Sequence, residues 1–335
     1  MNGIGVMRGG LSGGEKQVSR TDQRGRERLD VGVGGDAPEV ALGGQVGGNH
    51  DCGFREKRDA PGCGPAHAGD EHEAHRARGC AESFGSDPER YDRARPRYPE
   101  AMVQAILAAT PGPDVLDVGC GTGISARQFQ AAGCNVLGVD VDERMAEFAQ
   151  GRGLEVEVAA FEAWDPAGRT FDAVVAGQTW HWVDPVAGAA HAARALRTGG
   201  WLALFWNVFD PSPEVAAAFA AVYRQVMPDW NPWARSALDA YSALFTKALD
   251  GIRVAGAFSE PARWRFDWER SYTRDEWLDQ VSTGGDASQF SPAQLDELRD
   301  GIGAAIDAIG RTFTMPYAAV VITATRTCAS GATRT

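Results

Sequence analysis

From about residue 83 onward, short apolar runs alternate with stretches whose apolar positions recur every three to four residues. Short runs bounded by turn residues read as buried strands, and the longer period reads as amphipathic helix. Strands are predicted at Asp114–Val118, Asn135–Val139, Glu155–Ala159, Phe171–Ala176 and Gly200–Trp206, with helices at about 123–132, 142–150 and 185–197 between them. Thr198-Gly199-Gly200 supplies a glycine stop for the last of these helices. Two further strands follow late in the chain, Arg263–Trp268 and Pro316–Arg326. Strand and helix alternating in this way predict an α/β doubly wound sheet.

Two helical insertions interrupt the alternation. Residues 210–250 hold runs around Pro213–Val226 and Arg235–Leu249, joined by the turn-rich Pro228-Asp229-Trp230-Asn231-Pro232-Trp233. Residues 273–310 hold a second helical pair around a Gly284-Gly285 break. Neither is long enough to be a domain, so both are expected over the sheet's carboxyl edge as a cap, with ordinary packing on the sheet faces as the alternative. Residues 1–80 differ from the rest. They hold 19 of the 41 glycines and a single aromatic, Phe54. A segment so poor in bulky side chains cannot offset its ordering entropy, and it is expected to be disordered or an over-long gene model.

Composition narrows the function. A net charge of −12 over 335 residues speaks against tight nucleic-acid binding, which needs a basic surface. No apolar run approaches the roughly 18–20 residues of a membrane helix, and no secretory h-region opens the chain. A cytoplasmic protein with neither nucleic-acid nor membrane partner, monomeric or homodimeric, is expected. Cys52, Cys63, Cys80, Cys120, Cys134 and Cys328 form no CxxC pair and read as free thiols. His67, His72 and His75, interleaved with Asp70, Glu71 and Glu73, read as a solvated polar tail, because no second ligand cluster has metal-site spacing. No metal is implied, and a small metabolite is the favoured substrate class.

The chemistry concentrates in Val115-Leu116-Asp117-Val118-Gly119-Cys120-Gly121-Thr122-Gly123. A buried strand, a glycine loop and a helix N-terminus bring backbone N–H groups close to a bound cofactor. The carboxylate of Asp117, at the strand's end, is expected to be available to a cationic or amine group. A dinucleotide fingerprint requires glycine or alanine at position 124, where this chain has Ile124; that disfavours an NAD-dependent oxidoreductase. Asp140 closes the second strand about 20 residues after the loop, where an acid accepts both ribose hydroxyls of a nucleoside.

The GxGxG spacing, with an acid two residues before the first glycine, resembles motif I of the class I S-adenosylmethionine (SAM)-dependent methyltransferases. Residues 91–99, 115–123, 136–140 and 177–184 together resemble the type 11 small-molecule branch, and the overall pattern is similar to trans-aconitate-type methyltransferases. The resemblance implies a Rossmann-like, seven-stranded, mostly parallel sheet with helical caps over residues 83–328. It implies SAM as cofactor, held by Tyr91, Asp117, Gly119, Cys120, Gly121, Gly123, Asp140, Met145, Phe161, Glu162 and Gln178. Met145 has two readings, a contact to adenine or a core side chain. Arg97, Tyr98, Trp180 and Trp182 are the implied substrate contacts. The arginines of 91–99 suit a carboxylate, of the cofactor or of an acidic substrate, or form a solvated basic segment. The aromatic turn Trp180-His181-Trp182 suits a sulfonium through cation–π contact. His181 is the implied catalytic residue, as general base or as a ring shaping the pocket. The implied reaction is in-line displacement of the methyl by a small-molecule acceptor; a carboxylate acceptor would need no base. A non-catalytic SAM-binding paralogue or interaction module is the alternative.

Overall fold

The computed structural model describes residues 84–328 apart from 229–231, 234–235, 286 and 288–289. The expected N-terminal extension, with its histidine cluster and Cys52, Cys63 and Cys80, lies outside the described residues.

The strands are β1 (Asp114–Val118), β2 (Asn135–Asp140), β3 (Glu155–Val158), β4 (Phe171–Gly177), β5 (Leu196–Phe209), β6 (Ala262–Thr273) and β7 (Thr312–Thr325). They form one seven-stranded sheet in the order β3-β2-β1-β4-β5-β7-β6. β3, β2, β1, β4 and β5 pair in parallel, while β7 runs antiparallel to both β5 and β6. The expected α/β, Rossmann-like, mostly parallel sheet is present. Its central strands are mainly apolar because helices cover both faces, with Asp117 and Asp172 as buried exceptions.

Side chains alternate between those faces. Leu116, Val118, Val174 and Ala176 pack with Ala189 and Ala192 of α5 (Pro185–Ala195) and with Phe245, Ala248 and Ile252 of α7 (Ala237–Ala255). Val115, Ala173 and Val175 pack with α2 (Glu100–Ala109), α3 (Ile124–Ala131) and α4 (Glu143–Gly151) on the other face. A third apolar cluster joins α6 (Pro213–Val226), α8 (Arg274–Ser282) and α9 (Pro292–Ala308), through Phe219, Trp277, Leu298 and Ile302, to Phe313 and Met315 at the start of β7. The expected cap therefore divides. α7 lies on a sheet face beside α5, where Gly251 lets the helix approach the Pro185 carbonyl; a β-carbon there would sit 2.4 Å from that oxygen. α6, α8 and α9 form the separate layer. α8 and α9 each begin with a capping box, Thr273 with Glu276 and Ser291 with Gln294.

Two helix ends differ from expectation: α7 runs on to Ala255, past the expected Leu249, and α5 stops early. α5 ends at Ala195 and the chain enters β5 at once. Phe171 pairs with Leu196 but Ala173 pairs with Trp201, so β5 carries extra residues. Gly199, at φ +80°, serves this bulge inside the strand rather than a helix stop. β6 and β7 likewise run longer than their apolar segments, because antiparallel pairing continues from Ala262 to Thr273 opposite Thr323 to Thr312. Among the described residues no helix is long and apolar enough to cross a membrane, and Cys120, Cys134 and Cys328 are free thiols.

Candidate active site

At the end of β1 the chain turns through Gly119 and Gly121, both at positive φ (+62° and +54°). The Gly119 N–H donates to the Val139 carbonyl of β2 at 2.7 Å. A β-carbon on Gly119 would lie 2.1 Å from the Thr179 methyl, so this position excludes every other residue. Thr179 in turn donates its hydroxyl to the Gly119 and Gly177 carbonyls at 3.0 and 3.1 Å, tying the loop to the end of β4. The Gly121 N–H donates to Asp140 Oδ2 at 2.7 Å, and the Asp142 N–H to Oδ1 at 2.9 Å. Each Asp140 oxygen thus accepts one backbone bond and keeps acceptor capacity for a ligand. Burial raises the Asp140 pKa above the usual carboxylate range, and the two N–H bonds oppose that shift.

A cavity of about 1270 Å³ opens over this loop at the carboxyl ends of β1, β2, β4 and β5, where open α/β sheets bind ligands. Ordinary ligand pockets hold about 300–1,000 Å³, so this one has room for two reactants. Gly119, Cys120, Gly121, Asp140, Met145, Phe161, Glu162, Tyr91, Tyr98, Gln178, His181 and Trp182 all line it. Burial pushes the Cys120 thiol up, which leaves it a protonated wall. Tyr98 packs edge-on against Phe205 at 4.6 Å, and burial pushes its phenol up as well. Glu162 sits at the rim and accepts the Asp184 N–H at 3.0 Å. Gln178 is held at φ +55°, its amide donating to the Asn207 carbonyl at 3.0 Å.

Four expected site residues lie elsewhere. Asp117 is fully buried behind the loop, where Oδ2 accepts the Ser125 hydroxyl at 2.6 Å. Its carboxyl therefore faces α3 rather than the cavity, and burial pushes its pKa up to about 7. Gly123, at φ +82°, caps the start of α3 without lining the cavity. Trp180 is buried beside Phe161 and Gly188 in the α5 layer, with only Trp182 of the pair reaching the cavity. Arg97 is exposed outside it, and its carbonyl accepts the Asn207 amide at 3.1 Å.

Arg95 is the arginine of this segment that lines the cavity. Its guanidinium donates to the Thr283 carbonyl and lies 5.0 Å from the Tyr91 ring centroid. Arg90 and Arg93, on α1 (Pro88–Ala94), pair instead with Asp279 of α8 at 2.9 and 3.0 Å. Sequence reasoning also missed Asn207 and Trp206. A polar residue closing the apolar run Leu202–Trp206 was the available signal for Asn207. Trp206, 1% exposed, donates its indole N–H to His181 Nδ1 at 3.4 Å. Burial pushes His181 down to about 4, so the ring is neutral at pH 7. Because indole can only donate, the neutral ring carries its own proton on Nε2. The residues around Gly119 and Asp140 can hold a nucleoside, and His181 can offer a hydrogen-bond donor.

Comparison with known proteins agrees with this geometry. Residues 116–204 match the family model described as a methyltransferase domain. The chain is 37% identical over 131 residues to an uncharacterised methyltransferase of Mycobacterium tuberculosis, a match covering 38% of this chain and 53% of that protein. It is 30% identical over 167 residues to a ubiquinone biosynthesis O-methyltransferase of Alkalilimnicola ehrlichii, covering 45% of this chain and 68% of that one. A solved structure from Anaeromyxobacter dehalogenans, titled as a type II methyltransferase, superposes with a TM-score of 0.52 at 23% identity, covering 68% of this chain and 97% of that chain; it bears on the fold. The chain spans about half the length of the mycobacterial relatives it matches. Sheet order, glycine loop and relatives converge, and the chain belongs to the class I SAM-dependent methyltransferases of the type 11 domain family.

Proposed function

We propose that the protein transfers a methyl group from SAM to an oxygen of a small-molecule acceptor. The observation that carries this reading is the placement of Gly121 and Asp140 together, in hydrogen-bond contact, on the floor of a cavity large enough for two reactants. The residues fit the cofactor. The two oxygens of Asp140 are suited to the ribose hydroxyls, Phe161 and Met145 to the adenine, and Gly119–Gly121 to the close approach of the methionine part. When bound, SAM supplies a sulfonium-activated methyl group for in-line displacement.

The protein's own residues then hold two reactants in line and exclude water. Such positioning can account for roughly 7–11 kcal/mol of barrier. Tyr91, Tyr98 and Trp182 present aromatic rings that favour a cation near the reacting centre. His181 acts here as a donor. The Trp206 indole holds Nδ1 as acceptor, which leaves Nε2–H toward the acceptor molecule, and a ring this weakly basic is a poor base at neutral pH. A carboxylate acceptor, already ionised in water, needs no base and suits this arrangement. Titration calorimetry tests the cofactor assignment. SAM and S-adenosylhomocysteine should bind saturably and NAD should not; binding of NAD with no heat from either sulfur nucleoside would overturn the reading.

A further inference from the structure

Besides the residues around the glycine loop, residues of α6, α7 and α8 and the end of β5 line the cavity, and several of them are rings, with Trp277 and Tyr317 almost fully buried behind the others. Phe209, at the end of β5, lies 5.3 Å from Tyr317, 5.6 Å from Trp277 and 5.9 Å from Trp233 between ring centroids. All four line the cavity, as does Tyr241 from the first turns of α7. Fixed positive charge is sparse there. Among the described lining residues Arg95 is the one lysine or arginine, against Asp140, Glu162 and Asp210. Arg95 already donates to the Thr283 carbonyl, so it can serve one anionic group at most.

Walls of this kind favour a ligand that brings apolar area and a ring for offset or edge-to-face contact. A carboxylate moved against these walls loses its water and is tolerated only if a cation pairs with it. Among the described lining residues a small tricarboxylate would find one such cation, and Asp210, already paired with Arg265 at 3.6 Å, adds a further negative charge. We infer that the acceptor is a ring-bearing, mainly apolar molecule with no more than one anionic group, and not a small polycarboxylate of the trans-aconitate kind. This rests on the methyltransferase reading and specifies the substrate class of the same site.

The test uses the full chain saturated with S-adenosylhomocysteine, whose own binding is measured first by calorimetry. Naphthol, naphthoate and trans-aconitate are then titrated separately. Both naphthyl probes should bind at least about ten times more tightly than trans-aconitate, and Phe209→Ala and Trp233→Leu should each weaken them about fivefold with S-adenosylhomocysteine affinity unchanged. Trans-aconitate binding as tightly as the naphthyl probes would overturn the inference, as would naphthyl affinity that survives both substitutions. Normal cofactor binding with either result sinks the substrate class alone. Loss of cofactor binding in the unaltered protein sinks the methyltransferase reading beneath it.

Discussion

Asp117 is fully buried and His181 half-buried in the cavity wall, and burial moves their proton affinities in opposite directions. Asp117 rises from 3.8 to about 7, so its folded form holds a proton that the unfolded chain releases. Its contribution to stability is full below about pH 4 and is lost as pH rises toward 7. His181 falls from 6.5 to about 4, so its neutral folded form resists the proton that the unfolded chain takes up. Its contribution is full above pH 6.5 and is lost as pH falls toward 4. Between those limits the two slopes oppose one another. Asp117→Asn should keep the Ser125 hydrogen bond and gain about 2–4 kcal/mol relative to the parent at pH 8 compared with pH 4. His181→Asn should show the reverse difference. Denaturant unfolding across pH 4–8 reads both, and difference profiles that are flat would mean that neither group is buried as described.

Asp140 is the residue on which the cofactor site most depends. Asp140→Ala removes charge-assisted bonds worth roughly 1.5–3 kcal/mol, so SAM affinity should fall at least about tenfold; an unchanged affinity would move the ribose elsewhere. The spacing of Asp140 from the glycine loop was legible because it follows from strand length and turn chemistry. The direction of Asp117 was misread as open to a cofactor, although strand parity carried the signal for it. It shares parity with Val115, which packs under α3, and strand alternation places its carboxyl on that same face. Trp180 and Trp182 were not separable, since they share a single 3₁₀ turn that has no long apolar period. His181 can be assigned by nitrogen NMR. The neutral ring should show its proton on Nε2, and Trp206→Phe should abolish that preference without moving the pH–rate profile in the histidine range. An Nδ1-protonated ring in the parent protein would restore the general-base role.

α1 and α8 are joined at Asp279, which takes both Arg90 and Arg93. Their shared load holds the segment bearing Tyr91 and Arg95 against the cavity. Exposed ion pairs contribute only about 0.2–1 kcal/mol each to stability, so Asp279→Ala should change the melting temperature little. It should instead raise hydrogen exchange in residues 88–95 and speed S-adenosylhomocysteine release. Unchanged exchange there would show that packing alone holds the segment. Strand identities were readable from their apolar runs, but strand lengths were not. β6 gains its extra residues by backbone pairing to β7 with alternate side chains exposed, a pattern that hydrophobicity records weakly. The bulge at Gly199 was mistaken for a helix stop because glycine at positive φ serves both structures.

At the scale of the molecule, the sheet supplies two covered faces and one open edge, and the layer of α6, α8 and α9 stands over that edge beside Phe209 and Tyr317. The α/β class of the sheet followed from the alternation of strand and helix; the order of its strands did not, because alternation does not say which strands are neighbours. The division of the cap did not, because the runs that became α6 and α7 share alanine-rich composition and differ in what packs against them. The result is a cavity lined both by the polar Gly119–Asp140 loop region and by aromatic rings. A crystal structure of the complex with S-adenosylhomocysteine tests this division most directly. Both ribose hydroxyls should lie within hydrogen-bond distance of Asp140, with the sulfur pointing toward His181 and the rings Phe209, Trp233 and Tyr241 left uncovered for the acceptor. A ribose bound away from Asp140, or a cofactor lying against Phe209 and Trp233, would contradict it.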